Sequence, residues 1–316
     1  MLKYSACIHL QKKNSVQHYN SYRQYLREKT GTPVLKIPLS AGFSCPNRDG
    51  TKSKDGCLFC DNRSFSPAAL RLEDPLQQLL TIIKKTCGRY TKFIPYLQPF
   101  SNTYGSVEKL RQVYEPLLSV DGVIGMAIGT RPDCFTDEIH EYLADLNRRT
   151  YLVVEIGLQS SHDVTLERVN RGHTAHDFIK TIEKLDSNGI ETVAHVMLGL
   201  PGETREMMLE TARFCAIQPL RGVKIHQVMI IRDTAFEKMY NKNEIVPMEL
   251  VSYAELLCDF LEFLRPDQQI HRIMADSKTW HGLIAPLWST EKSKSLSVIH
   301  SIMDARNCIQ GSRRTL

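Results

Sequence analysis

Cys45-Pro46-Asn47-Arg48-Asp49-Gly50-Thr51-Lys52-Ser53-Lys54-Asp55-Gly56-Cys57-Leu58-Phe59-Cys60 is the stretch on which the reading of the whole chain turns. Three thiols fall within one loop, which can curl round a single inorganic centre. Soft thiolates select iron–sulfur clusters or zinc over hard cations. A structural zinc is normally closed by four protein ligands, yet no fourth Cys or His lies nearby; the next cysteine, Cys87, follows a helix-like stretch. Three ligands favour a cluster with one iron left open for a substrate or cofactor. A zinc site is the alternative.

Outward from the loop, strand-like apolar runs alternate with helical ones. Strands are expected at 33–39, 91–97, 123–128, 151–158, 191–198 and 223–231, and helices at 18–30, 74–85, 106–118, 136–147, 175–188, 205–217 and 250–264. Thr136 reads as an N-cap and Gly189 as a helix-closing residue. Such alternation implies parallel β-α units with right-handed crossovers. Six units fit between residues 33 and 231, too few for an eight-unit barrel. The expected fold class is therefore α/β, a partial (β/α)6 TIM-type barrel of parallel strands. The expected organisation is a basic N-terminal extension (1–32), the barrel (33–240) and a helical or mixed C-terminal extension (241–316).

In such barrels chemistry sits at the carboxyl ends of the strands, and polar residues gather there. Strand two runs into Asn102-Thr103-Tyr104, and strand three into Gly129-Thr130-Arg131-Pro132-Asp133. Glu155, Gly157 and Gln159 alternate along strand four and so share a face; His195, Met197 and Gly199 do so on the fifth, and Lys224, His226 and Val228 on the sixth. Each has an ordinary reading. Glu155 or Arg171 could be an ion-pair partner, His195 or His226 a satisfied core imidazole, Gly157 or Gly199 a packing residue. Six strands ending in polar groups round one thiol loop favour a site.

Composition narrows the class. Nine cysteines in 316 residues, three clustered and the others scattered, suit reduced thiols rather than a disulfide framework. No stretch approaches the ~20 apolar residues of a membrane span, and the N-terminus lacks a signal pattern, so a soluble, cytoplasmic protein without a membrane partner is expected. The net charge of +5 is uneven: residues 1–44 carry seven Lys/Arg against Glu28 alone, and residues 291–316 carry five against two acids. With His9, Tyr19, Tyr22 and Tyr25 interleaved, the ends could form a phosphate-binding footprint or simply a solvated surface.

With these motifs in view, the chain resembles the radical S-adenosylmethionine (SAM) enzymes over nearly its whole length. The Cys45-x11-Cys57-x2-Cys60 loop is similar to that of an expanded-loop subfamily related to the elongator catalytic subunit and, more distantly, to oxygen-independent coproporphyrinogen oxidase. Thr130-Arg131-Pro132-Asp133, Glu155-x-Gly157-x-Gln159-Ser160 and Asn170-Arg171-Gly172-His173 look like the elongator type. Gln159, Val169-Asn170-Arg171 and Gly199-Leu200-Pro201 look like the porphyrin enzymes, and Ile284–Trp288 and Gln310-Gly311 like the subfamily.

The resemblance implies that Cys45, Cys57 and Cys60 hold a [4Fe–4S] cluster whose open iron takes the amino and carboxylate groups of SAM. Arg171 would pair the SAM carboxylate and Gln159 would reach its ribose. Glu155, Thr103 and His195 complete the implied cofactor set, Thr103 near the usual amine-binding turn and His195 in place of a ribose-binding Asp. Gly129 stands where both relatives have Glu, and Arg232-Asp233-Thr234 where Lys-Gly-Thr is expected. The implied chemistry is reductive SAM cleavage to a 5′-deoxyadenosyl radical, fed by a flavodoxin- or ferredoxin-type donor. The implied substrate is tRNA, at a wobble uridine side chain, with Tyr104, Lys224 and His226 as substrate contacts. Two readings compete: a small-molecule or tetrapyrrole substrate, and a zinc-stabilised RNA-binding protein without catalysis.

Overall fold

Each of the six expected strands forms, because each alternates in a way that separates two environments. They are β1 (Val34–Leu39), β2 (Lys92–Leu97), β3 (Gly125–Thr130), β4 (Tyr151–Gln159), β5 (Glu191–Leu198) and β6 (Gly222–Gln227). The computed structural model describes residues 17–61, 74–86 and 88–314; Lys3, His9, Lys12, Lys13 and Cys87 lie outside the described residues. One parity of the strands, including Ile37, Leu39, Val154, Ile156, Leu158, Val196, Leu198 and Ile225, packs outward into the main core beneath the helices. Full burial of each such side chain stabilises by roughly 1.5–3 kcal/mol. The other parity carries Lys36, Tyr96, Glu155, Gln159, His195 and Lys224. A parallel sheet is usually apolar on both faces; here the inner face is polar.

The sixth strand was expected to reach residue 231 but stops at Gln227, and Ile230–Ile231 is a separate short strand, β7. A further strand, β8 (Gln269–Arg272), extends the sheet beside β6, giving seven parallel strands in the order β1-β2-β3-β4-β5-β6-β8. Six expected strands are thus seven. Four residues reading Gln-Ile-His-Arg carry too little periodicity to announce a strand, and β8 lies beyond the boundary expected at residue 240. β9 (Leu283–Ala285) pairs antiparallel with β7.

The helices are α1 (Tyr22–Thr30), α2 (Pro75–Lys85), α3 (Val107–Leu118), α4 (Asp137–Arg149), α5 (Asp163–Arg168), α6 (Ala175–Asp186), α7 (Arg205–Ile217), α8 (Ala235–Asn241), α9 (Leu250–Phe263) and α10 (Lys292–Arg306). Ser106, Thr136, Thr174 and Thr204 cap four of them by accepting the N–H three residues on, Thr174 within a capping box with Asp177. Each crossover helix therefore starts at a defined distance beyond its strand-end loop, which holds those loops in place.

α1 closes the amino-terminal end of the half-barrel. Ile270 N donates to Asn20 O at 2.7 Å and Ser21 bridges Ile270, anchoring the chain to β8. The helix then runs to β1 and β2, where Lys92 Nζ donates to Thr30 O at 2.7 Å. Tyr22 is buried and stacks on His271 with centroids 3.7 Å apart, and Lys29 sits 4.1 Å over the Tyr151 ring. Tyr22 is thereby withdrawn from any surface footprint, while Tyr25 stays half-buried. The C-terminal cations are also engaged: Arg306 binds Asp259 at 2.6 Å and Arg313 binds Glu262 at 2.8 Å. Among the described residues no helix is long and apolar enough to cross a membrane.

Candidate active site

The thiol loop is held from three sides. Leu58 N donates to Val169 O at 3.0 Å, and Phe236 N, at the start of α8, donates to Leu58 O at 3.1 Å. Asn47 Nδ2 donates to Asn170 O at 2.6 Å, and the Arg48 guanidinium reaches the Cys60 carbonyl. Phe59 packs against Phe236 with centroids 5.9 Å apart. α8 opens from Arg232-Asp233-Thr234, where Asp233 has φ 63°. Left-handed backbone costs an ordinary L-residue about 1–2 kcal/mol and glycine almost nothing. Asp233→Gly should therefore melt no lower than wild type and up to about 1 kcal/mol more stable; a clear drop in Tm would show instead that the Asp side chain holds this turn.

Cys45, Cys57 and Cys60 line one pocket at the carboxyl ends of the strands. Burial, with Cys57 and Cys45 alongside, pushes the Cys60 thiol up to about 12. Three thiolates therefore need added positive charge to coexist here, which an iron–sulfur cluster brings. Among the described residues no three His, Cys, Asp or Glu converge closely enough to hold a single metal ion. Arg171 Nη1 donates to Cys57 Sγ at 3.4 Å and Asn47 Nδ2 at 3.6 Å, so two donors from outside the Cys57–Cys60 turn fix the sulfur's position.

Arg171 is seated by Gly157. Its Nη2 donates to Gly157 O at 2.7 Å, and a Cβ on Gly157 would come 2.5 Å from that nitrogen and 2.8 Å from Gln159 Nε2. Gly157 is therefore glycine because a guanidinium lies against it. Among the described residues Arg171 Nε and Gln159 Oε1 are buried without partners, and Gln159 takes φ 78°. Two unpartnered buried polar atoms beside three thiols fit a polar cofactor that would satisfy them.

Of the other expected residues, Thr103 and Tyr104 lie outside the pocket lining, whereas Glu155, His195 and His226 line it. Thr103 is fully buried, its hydroxyl 2.6 Å from Thr130 Oγ1, and it is Thr130 that faces the pocket. Tyr104 OH meets Thr51 Oγ1 at 2.8 Å and so braces the thiol loop. His195 and His226 both line the pocket, their rings 4.6 Å apart. Glu155 is the hub of an ion network on the pocket floor. Lys224 Nζ donates to its Oε2 at 2.8 Å and Tyr96 OH at 2.6 Å; Lys36 and His271 Nδ1, the latter at 3.2 Å, meet Oε1. Burial alone would raise the Glu155 carboxyl, but Lys224 and Lys36 hold it well below the usual carboxylate range. Burial pulls Lys224 down to about 7 against the attraction of Glu155.

Sequence reading missed Lys36, Tyr96, His271 and Arg272 as members of this site and had Arg131 only within the strand-end run Gly129–Asp133. A lysine at an interior position of an apolar strand was the available signal for Lys36. His271 and Arg272 carried none, because their strand was not legible. Burial drives the imidazoles of His195 and His226 well below their ordinary value and that of His271 to about 4. All three are therefore neutral in the fold at pH 7, whereas the unfolded chain takes up protons near 6.5. Stability conferred by their neutral forms is fully present above pH 6.5 and is lost as pH falls through the folded values, at about 1.4 kcal/mol per unit of depression for each group. Thermal melts should show Tm falling steeply from pH 6.5 to 4; a flat profile there would sink the assignment.

A parallel half-barrel with three thiols at its mouth defines a metal-cluster, cofactor-dependent class. The family model described as the radical SAM superfamily matches residues 45–215, and that of the radical SAM C-terminal domain matches residues 220–305. The chain belongs to the radical SAM superfamily, and its cofactors are a [4Fe–4S] cluster and SAM. Over 301 residues it is 38% identical to the uncharacterized protein YtqA of Bacillus subtilis, covering 94% of this chain and 93% of the relative. It is 28% identical over 180 residues to the tRNA uridine(34) acetyltransferase of Dehalococcoides mccartyi, covering 54% of this chain and 37% of that one. The half-barrel is shared with the archaeal Elp3 of Methanocaldococcus infernus with an N-terminal deletion, at TM-score 0.63 and 15% identity. That match covers 88% of this chain and 64% of the solved one, so this chain spans about two-thirds of that structure.

Proposed function

We propose that the chain uses its radical SAM chemistry to modify tRNA at a wobble uridine side chain, with Cys45, Cys57 and Cys60 ligating the cluster and Arg171 and Gln159 holding SAM. The observation that carries the site assignment is the conjunction of three thiols with the unpartnered Arg171 Nε and Gln159 Oε1 in one pocket. Held by Cys45, Cys57 and Cys60 and reduced, the cluster would supply the one electron for reductive cleavage of SAM, the chemistry that provides a hydrogen-abstracting radical. An external one-electron donor of the flavodoxin or ferredoxin type is required. Arg171, fixed by the Gly157 carbonyl and the Cys57 sulfur, meets an anionic group with its remaining N–H. Met197 and Met229 give the pocket apolar wall that limits water at the reacting centre.

The tRNA assignment is supported by the partial similarity to tRNA uridine(34) acetyltransferases. Trp280 supports it as well: it is 77% exposed on the turn that leads into β9, close in sequence to the pocket residues Ala275 and Asp276. Exposed aromatic faces serve RNA-binding proteins as stacking platforms for unstacked bases. Trp280→Ala should weaken tRNA binding by about 1–3 kcal/mol, the range of one base stack, and Trp280→Phe should recover most of it while SAM binding stays unchanged. Equal tRNA affinity in all three proteins would remove this support. The function itself is tested by comparing tRNA nucleoside profiles of a deletion strain and its complemented form. Identical profiles would rule out the tRNA reading, while anaerobic release of 5′-deoxyadenosine tests the reaction class independently.

A further inference from the structure

The pocket floor carries more positive charge than its own acids neutralise. Lys36 from β1, Lys224 from β6 and Arg272 from β8 converge on it, and Glu155 is the carboxylate they surround. Glu155 is fully engaged: Lys36 and His271 occupy Oε1, and Lys224 and Tyr96 occupy Oε2. The other acid lining the pocket, Asp276, is bound to Lys292 at 2.7 Å. Among the described residues Arg272 has no acid within ion-pair distance: Glu155 and Asp276 attract it only from further off, and its near neighbour is an imidazole. Its Nη2 lies 3.3 Å from His195 Nε2, and its Nε is buried with no partner among the described residues.

The tautomers follow from these contacts. His195 Nε2 accepts from a guanidinium that can only donate, so the His195 proton sits on Nδ1, where it is a donor. His226 Nδ1 donates to Gln227 O at 2.9 Å, which leaves its Nε2 as an acceptor. Arg272 and His195 together therefore offer a cation and N–H donors, Arg272 from the sheet edge opposite β1, the strand that delivers the thiol loop, and His195 from β5 two strands in. A buried guanidinium without an anion is costly; that cost is offset when a ligand brings the missing charge.

We propose that Arg272 and His195 form an anion-binding subsite for a carboxylate-class group on the substrate, distinct from the Arg171 side of the pocket. The planar fork of Arg272 matches a carboxylate better than a point charge would. This deepens the function proposed above by naming the chemistry of the substrate end that enters the pocket, and it rests on that reading for the identity of the substrate as a whole. Anion binding is measured without RNA, so its failure is separate from failure of the tRNA reading.

The test uses cluster-loaded protein, with sodium acetate and inorganic phosphate as probes against chloride at matched ionic strength. Acetate should raise the wild-type Tm by a few degrees, because a ligand that binds only the folded state stabilises it. Arg272→Met should lose that response and, without acetate, melt at or above wild type, because an uncompensated buried charge has been removed. Arg272→Lys should retain a weaker response. SAM affinity should stay within about twofold in Arg272→Met. The absence of an acetate response in wild type, or an equal response in Arg272→Met, would overturn the subsite. A stronger response to phosphate would overturn the carboxylate class, and lower stability of Arg272→Met would make the arginine a structural partner. Collapse of SAM binding in Arg272→Met would assign the anion to SAM itself.

Discussion

Cys57→Ala is expected to yield a colourless protein that cannot be reconstituted with a full cluster and releases 5′-deoxyadenosine only at the no-enzyme background. Cys57 is the most buried of the three thiols, and it receives the hydrogen bonds of Arg171 and Asn47. Losing it removes a ligand and leaves both donors facing an empty position. The fold should survive, because deleting one small buried sulfur costs on the order of 1 kcal/mol in the metal-free protein. Iron content, visible absorption and Tm of the metal-free form separate these effects. Full iron loading together with SAM cleavage in Cys57→Ala would refute the ligand assignment. Colour lost along with a collapsed metal-free Tm would point instead to misfolding, and the more exposed Cys45→Ala would then decide.

Glu155→Ala is expected to be the most destabilising single substitution in the barrel interior. Removing one partner of a buried charge network costs about 3–5 kcal/mol, since Lys36, Lys224 and His271 lose the carboxylate that matches them. In a chain of this length that corresponds to a Tm fall of about 5–8 °C. Glu155→Gln fills the space and should still lose most of it. The Glu155 carboxyl is held below its ordinary value of 4.5. Its contribution is therefore present above pH 4.5 and lost as pH falls through the depressed folded value. The part of the gap between wild type and Glu155→Gln that comes from the carboxylate's own titration should accordingly narrow as pH falls below about 4.5. Combining Glu155→Leu with Lys224→Met should recover part of the loss, because apolar replacements of a buried pair are often nearly neutral. A Tm for Glu155→Ala within a degree of wild type would show that the network is solvated rather than buried.

The thiol loop and the β-α order were legible because both are local. Cys57 and Cys60 lie one turn apart, and Cys60 N bonds back to Cys57 O at 2.9 Å. Thr136 capped its helix as read, through Ile139 N. Glu155, Gly157 and Gln159 were legible as one face because strand periodicity is local too, and the structure sets them along the inner wall of the barrel. Their division of labour was not visible. Glu155 sits in the ion network, Gly157 makes room for Arg171, and Gln159 keeps a free acceptor. Each of those outcomes depends on side chains far away in sequence.

The amino-acid sequence alone determined the parallel half-barrel and the three-thiol loop, since periodicity, capping residues and ligand spacing act over a few residues, while the family was legible through the resemblance of its motifs. Only the tertiary structure brought β8 to the sheet edge and α1 to the barrel floor. It likewise placed Arg272 against His195, some seventy-seven positions apart in the chain. Such contacts are decided by strand register and by the burial of charge in a shared low-dielectric interior. Neither leaves a local pattern in four residues that read Gln-Ile-His-Arg.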